Sequence, residues 1–166
     1  MLIKAKIQPN KVVLLYGPRR VGKTTLLKQF IQSIPDAKSV LFVNGESKIV
    51  QDELSQQSVP LLTDFIGKHK IIIIDEAQKV PRIGGQLKLM VDEIPGLAII
   101  ASGSASFALA QEVGEPLTGR KKTVNLFPLS AEEIIKNKGL QYYKEIRDSC
   151  LIYGGYPELF QLSGGA

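Results

Sequence analysis

Five short apolar runs punctuate the chain: Val12–Tyr16, Val40–Val43, Lys70–Asp75, Leu97–Ala101 and Thr123–Phe127. Four of them are nearly continuous Val/Ile/Leu without polar alternation, the pattern of parallel strands covered on both faces. Between the runs lie stretches with helical spacing: Thr24–Ser33, parts of Ile49–Gly67, Gly85–Ile94 and Phe107–Val113. In the first of these, Leu26, Leu27, Phe30, Ile31 and Ile34 share one stripe, and Pro35 stops it. Two more helices, Ala131–Lys138 and Tyr142–Tyr153, follow the fifth run, with Ser130 as N-cap and Glu133 completing a capping box. The polar, Ser- and Gln-rich segment Asn44–Pro60 is expected to be partly irregular. Strand–helix alternation with right-handed crossovers predicts a doubly wound α/β sheet with helices on both faces.

The first strand runs directly into Gly17-Pro18-Arg19-Arg20-Val21-Gly22-Lys23-Thr24, and the first helix follows. This run fits G-x-x-x-x-G-K-[ST], the phosphate-binding loop, in the strand–loop–helix setting that the motif requires. Gly17 and Gly22 carry no Cβ, so the backbone can bend with its amides inward and approach a phosphate closely. Lys23 is a point charge placed to reach β- and γ-phosphates, and the Thr24 hydroxyl is placed to hold Mg²⁺. The helix N-terminus adds its dipole at the same spot. The nucleotide-binding residues expected are Gly17, Pro18, Arg19, Arg20, Val21, Gly22, Lys23, Thr24 and Thr25, with the side chains of Arg19 and Arg20 directed outward.

The third run, Ile71-Ile72-Ile73-Ile74-Asp75-Glu76, is an aliphatic strand ending in two carboxylates, the Walker B pattern. A buried strand places Asp75 rigidly at its C-terminal edge, where α/β sheets bind ligands. Asp75 is read as the Mg²⁺ partner opposite Thr24, and Glu76 as the group that orients or deprotonates the attacking water. A signalling GTPase needs D-x-x-G here and N/T-K-x-D later. Asp75-Glu76-Ala77-Gln78 and Asn137-Lys138-Gly139-Leu140 meet neither pattern, so ATP is favoured over GTP. The fourth strand runs out into Ser102-Gly103-Ser104; Ser104, and after it Ser102, is the candidate for touching the γ-phosphate or the water. Arg120, just before the fifth strand, is the candidate for stabilising transition-state charge, in its own chain or from a neighbouring subunit.

With 166 residues, 44% of them apolar, the chain is long enough for one domain with a real core. No run is long enough to span a bilayer, and the N-terminus lacks the apolar region of a signal peptide. The single cysteine, Cys150, excludes an internal disulfide and reads as a small buried hydrophobe; one Cys and one His argue against zinc. A cytoplasmic protein is the simplest reading. The net charge of +5 admits a polyanionic partner such as DNA, although no aromatic-interleaved basic stretch is present.

The blocks Gly17–Leu27, Ile71–Pro81, Ile99–Phe107, Leu117–Glu133 and Tyr153–Glu158 occur in that order and together resemble a prokaryotic family of ATPases in the AAA superfamily. Its usual Thr-Gly-Ser at the fourth strand end stands here as Ser102-Gly103-Ser104, which keeps a hydroxyl. The resemblance implies ATP and Mg²⁺ binding, the P-loop NTPase three-layer sandwich with a parallel sheet of order 5-1-4-3-2, and Glu76 as catalytic acid/base. It also implies a second domain after the core, so residues 1–166 are read as a single ATPase domain forming the N-terminal part of a longer protein. The function expected is Mg²⁺-dependent ATP hydrolysis. The alternative is a nucleotide-operated switch that binds a protein partner or DNA with little turnover of its own. A small-molecule kinase is disfavoured because no Arg-rich lid cluster is visible.

Overall fold

The computed structural model describes residues 3–104 and 117–161. The expected helix Phe107–Val113 lies outside them. The described chain forms two compact units: one contains residues up to Gly17 together with Lys23–Asn125, the other Pro18–Gly22 together with Leu126 onward.

The first unit is built on five parallel strands, β1 (Val12–Gly17), β2 (Val40–Asn44), β3 (Ile71–Asp75), β4 (Ala98–Ser104) and β5 (Lys121–Asn125). Their order is β2-β3-β4-β1-β5, the expected 5-1-4-3-2. Helices α1 (Lys23–Gln32), α2 (Lys48–Leu54), α3 (Val59–Ile66) and α4 (Ile83–Glu93) fill the connections. Because strand side chains alternate between faces, Val12, Leu14, Ile72, Ile74, Ile99 and Ala101 share one side, where they pack with Leu62, Ile66, Ile83, Leu87 and Met90 of α3 and α4. The intervening Val13, Leu15, Ile73 and Ile100 are equally buried, as are Leu27 and Phe30 of α1. Burial on both faces is why the three central strands read as unbroken aliphatic runs.

Asn44–Pro60 is partly irregular as expected: Lys48–Leu54 is helical within it, and Pro60 sits in the first turn of α3, where its missing N–H costs nothing. One expectation shifts. The fifth strand starts two residues early and stops at Asn125 rather than Phe127. Among the described residues it is an edge strand paired to β1 alone and buries only Val124, so apolar content marked its end poorly.

The second unit holds α5 (Ala131–Lys138), α6 (Leu140–Tyr153) and the short α7 (Pro157–Gln161). Ser130 caps α5 as expected: its Oγ accepts from the Glu133 N–H at 3.2 Å, and its own N–H donates to Glu133 Oε2 at 2.9 Å. The Leu129 N–H donates to the Gly155 carbonyl at 2.7 Å, tying the Leu126–Ser130 block to the Gly-Gly-Tyr-Pro turn. Helix α6 fully buries none of its side chains, so Cys150 is partly exposed rather than buried.

In the first unit, the way out of β2 is welded to the way out of β3. The Gly45 N–H donates to the Asp75 carbonyl at 2.8 Å, and a Cβ on Gly45 would lie 2.6 Å from the Glu76 carbonyl oxygen. Backbone crowding of this kind cannot be relieved by a rotamer change. Gly45→Ala should therefore lose about 1–3 kcal/mol of stability, read as a lower midpoint in urea denaturation followed by circular dichroism. An unchanged midpoint would mean that the β3 exit relaxes freely.

Candidate functional site

In an all-parallel sheet every strand ends on the same edge, so the C-termini of β1, β3 and β4 bring the sequence candidates together. β1 delivers Gly17, which lies beside Ser104 of β4 in the strand register. Five residues, Pro18–Gly22, then lead to Lys23, the first residue of α1. Within that loop Arg20 (φ 63°) and Gly22 (φ 99°) both take left-handed backbone, which turns the chain sharply. Lys23 is only 5% exposed, and its Nζ donates to the Gly17 carbonyl at 3.0 Å, so the two ends of the loop are fastened to each other. Thr25 is exposed on the first turn of α1.

Asp75 is the centre of a polar cluster within the first unit. The residue is 5% exposed. Oδ2 accepts from the Thr24 hydroxyl at 2.6 Å. Oδ1 accepts from the Ser102 hydroxyl and, at 3.2 Å, from the Glu76 N–H. Thr24 and Asp75, expected on opposite sides of a Mg²⁺ ion, are joined here by a direct hydrogen bond. Thr24 and Asp75 offer one hydroxyl and one carboxylate, an oxygen-only set too small to enclose a cation. That suits Mg²⁺, which keeps several waters and completes its shell with substrate phosphates.

Glu76 follows in left-handed backbone (φ 52°, ψ 42°), a conformation that costs a non-glycine residue energy and turns the chain into the single turn Ala77–Lys79. Its Oε2 accepts from the Gln78 Nε2 at 2.5 Å. The same nitrogen lies 3.5 Å from the Ser104 Oγ. Ser104, the first choice at the strand tip, therefore sits with Glu76 and Gln78. Ser102, the second choice, is fully buried and attends Asp75 instead. Gln78 was not singled out in the sequence; its one signal was a polar amide two positions after Glu76. Tyr16, half-buried near the end of β1, has its phenol pKa pushed up by burial, so it stays neutral and offers no base here.

Arg120 is not brought to this cluster. Val12, the first residue of β1, donates its N–H to the Arg120 carbonyl at 2.9 Å, and the Arg120 guanidinium pairs with Asp92 of α4 at 2.5 Å. The phosphate loop leaves from the last residue of the same six-residue strand. At about 3.3 Å per residue, Arg120 is on the opposite edge of the sheet, and no role within its own chain's site follows from this position.

In the second unit, Arg20 pairs with Glu158 of α7 at 3.5 Å, with both side chains largely exposed. A cavity of about 330 Å³ is lined there by Arg19, Arg20, Tyr153, Tyr156, Glu158 and Leu159. Among the described residues no helix is long and apolar enough to cross a membrane.

A family model described as an AAA domain matches residues 9–135. An uncharacterised protein of Methanocaldococcus jannaschii is 30% identical over 172 residues, a match covering 95% of this chain and 38% of that protein. A proteasome-associated ATPase of Catenulispora acidiphila is 30% identical over 95 residues, covering 55% of this chain and 16% of that one. The chain thus spans well under half the length of these curated relatives. Among solved structures, a Walker-type ATPase of Pyrococcus abyssi shares the fold with a TM-score of 0.60 at 20% identity, over 88% of this chain and 59% of that one. With the ordered sheet and the Gly17–Thr24 and Asp75 positions, the match across residues 9–135 gives the assignment: the chain belongs to the AAA family of P-loop ATPases.

Proposed function

We propose that the chain binds ATP with Mg²⁺ and hydrolyses it at the cluster around Asp75. The observation that carries the reading is the 2.6 Å bond between the Thr24 hydroxyl and the Asp75 carboxylate, which joins the phosphate-loop helix to the Walker B strand. Lys23 supplies positive charge to the β- and γ-phosphates from a buried position, where electrostatic interactions are stronger than in water. Backbone amides of Arg19–Thr24 donate to phosphate oxygens. Thr24 and Asp75 would hold Mg²⁺, whose charge, when bound, offsets that on the β- and γ-oxygens. Glu76 takes a proton from the attacking water, and Ser104 donates to the γ-phosphate or to that water.

A second reading, a switch driven by nucleotide, is favoured by one observation. The loop residues Pro18–Gly22 cluster with the C-terminal helices rather than with the sheet, and Arg20 pairs with Glu158. Occupancy of the loop would then be felt by α7. The two readings are compatible, since hydrolysis would reset the switch.

Lys23→Ala should reduce affinity for a fluorescent ATP analogue at least tenfold, because it deletes a cation already stripped of water. Glu76→Gln should leave that affinity within about threefold while lowering turnover about 10²–10⁴-fold, the range a general base contributes. Normal turnover in Glu76→Gln would remove Glu76 as the base. For the switch, ATP with Mg²⁺ should slow amide hydrogen exchange in residues 153–161, and Lys23→Ala should abolish the effect. Exchange indifferent to ATP would exclude that reading.

A further inference from the structure

The turn after Glu76 holds a second polar side chain, Gln78. Gln78 donates through Nε2 to the Glu76 carboxylate at 2.5 Å and stands 3.5 Å from the Ser104 hydroxyl, so one amide touches both the proposed base and the tip of β4. Its orientation is fixed, since a carboxylate accepts only from the NH₂ end of the amide. That leaves Oε1 buried with no hydrogen-bond partner among the described residues. A buried carbonyl without a donor is unfavourable and calls for an explanation. An acceptor on the same rigid amide as the donor that holds Glu76 suits the second hydrogen of the water that Glu76 deprotonates.

We propose that Gln78 is a positioning residue for hydrolysis: its amide clamps the Glu76 carboxylate against the tip of β4, and its Oε1 orients the attacking water. The assignment rests on Glu76 being the base. Glu76 needs such a clamp. It projects from left-handed backbone at the head of a one-turn connection, so nothing in the strand ladder fixes its side chain. The proton moves from water to Glu76, the water oxygen attacks the γ-phosphorus, and the ADP oxygen leaves. Gln78 keeps its own protons throughout, so no further reactant is required.

The test uses Gln78→Leu, which keeps the volume and removes both polar ends. Turnover should fall about tenfold to a hundredfold, the loss expected from misplacing a reacting group by about 1 Å. KM, affinity for the ATP analogue and melting temperature should stay within error. A merely structural role would instead move melting temperature and KM together. Added to Glu76→Gln, the leucine change should have no further effect, because both act on one step. A readout independent of turnover is the side-chain amide NMR signal of Gln78, which should shift in Glu76→Gln without nucleotide. The outcomes separate the two claims. If Glu76→Gln hydrolyses normally, the reading of the base fails. If Glu76→Gln is inactive while Gln78→Leu turns over normally, or faster, only the clamp is overturned. An unmoved Gln78 amide signal also overturns it.

Discussion

One buried carboxylate holds the site in register. Asp75 accepts from the hydroxyl of Thr24 on α1, the hydroxyl of Ser102 on β4 and the N–H of Glu76 at the exit of β3. A charge kept this far from water is unfavourable unless its lone pairs are engaged, and here three donors from separate elements engage them. The aliphatic layers on either side of the sheet supply most of the stabilisation, but apolar contacts are not directional. Directionality comes from Asp75, which sets where the first turn of α1 stands against two strand ends. Removing any one donor leaves the charge in place with less compensation, so the cluster favours a single geometry over several near-equal ones.

The same constraint explains the backbone around Glu76. Left-handed φ at a glutamate persists only where neighbours over-determine it. Three neighbours do so here. The Glu76 N–H is drawn to the Asp75 carboxylate and, at 3.3 Å, to Ser102 Oγ; the Gly45 N–H holds the Asp75 carbonyl; the absence of a side chain on Gly45 admits the Glu76 carbonyl. The exits of β2, β3 and β4 therefore act as one unit. The side chain that leaves this unit beside β4 is that of Glu76, the base proposed above.

Much of this was legible from residue order. The phosphate loop and Asp75 stood out because both motifs need specific residue types at fixed spacing, and the β3 run Ile71–Ile74 could be read as buried on both faces. The capping box at Ser130 was legible because it is local. What residue order did not show was register. Ser102 and Ser104 are two residues apart on one strand, and only the pairing of Ile74 with Ala101 shows that the next position, Ser102, falls beside Asp75. Arg120 was chosen for its charge and its place near a strand. It precedes that strand, however, and in an all-parallel sheet every strand start lies on the edge away from the ligand. Gln78 gave only a weak signal, because one amide in a turn is ordinary until its neighbours across the turn are known.

Lys23 shows how far the site is prepared before any phosphate arrives. Its side chain is already largely out of water, and its ammonium donates to the Gly17 carbonyl. The desolvation that phosphate binding would otherwise demand of this side chain has largely been met during folding, at the expense of stability. In the binding mode proposed above, a polyphosphate would meet a cation that is already desolvated and held, without first having to strip and immobilise it. An exposed lysine at the same distance would attract the same anion far more weakly, because water would screen it. The arrangement links the apolar core to affinity: by burying the base of α1, the sheet sets the strength of the charge that the loop presents.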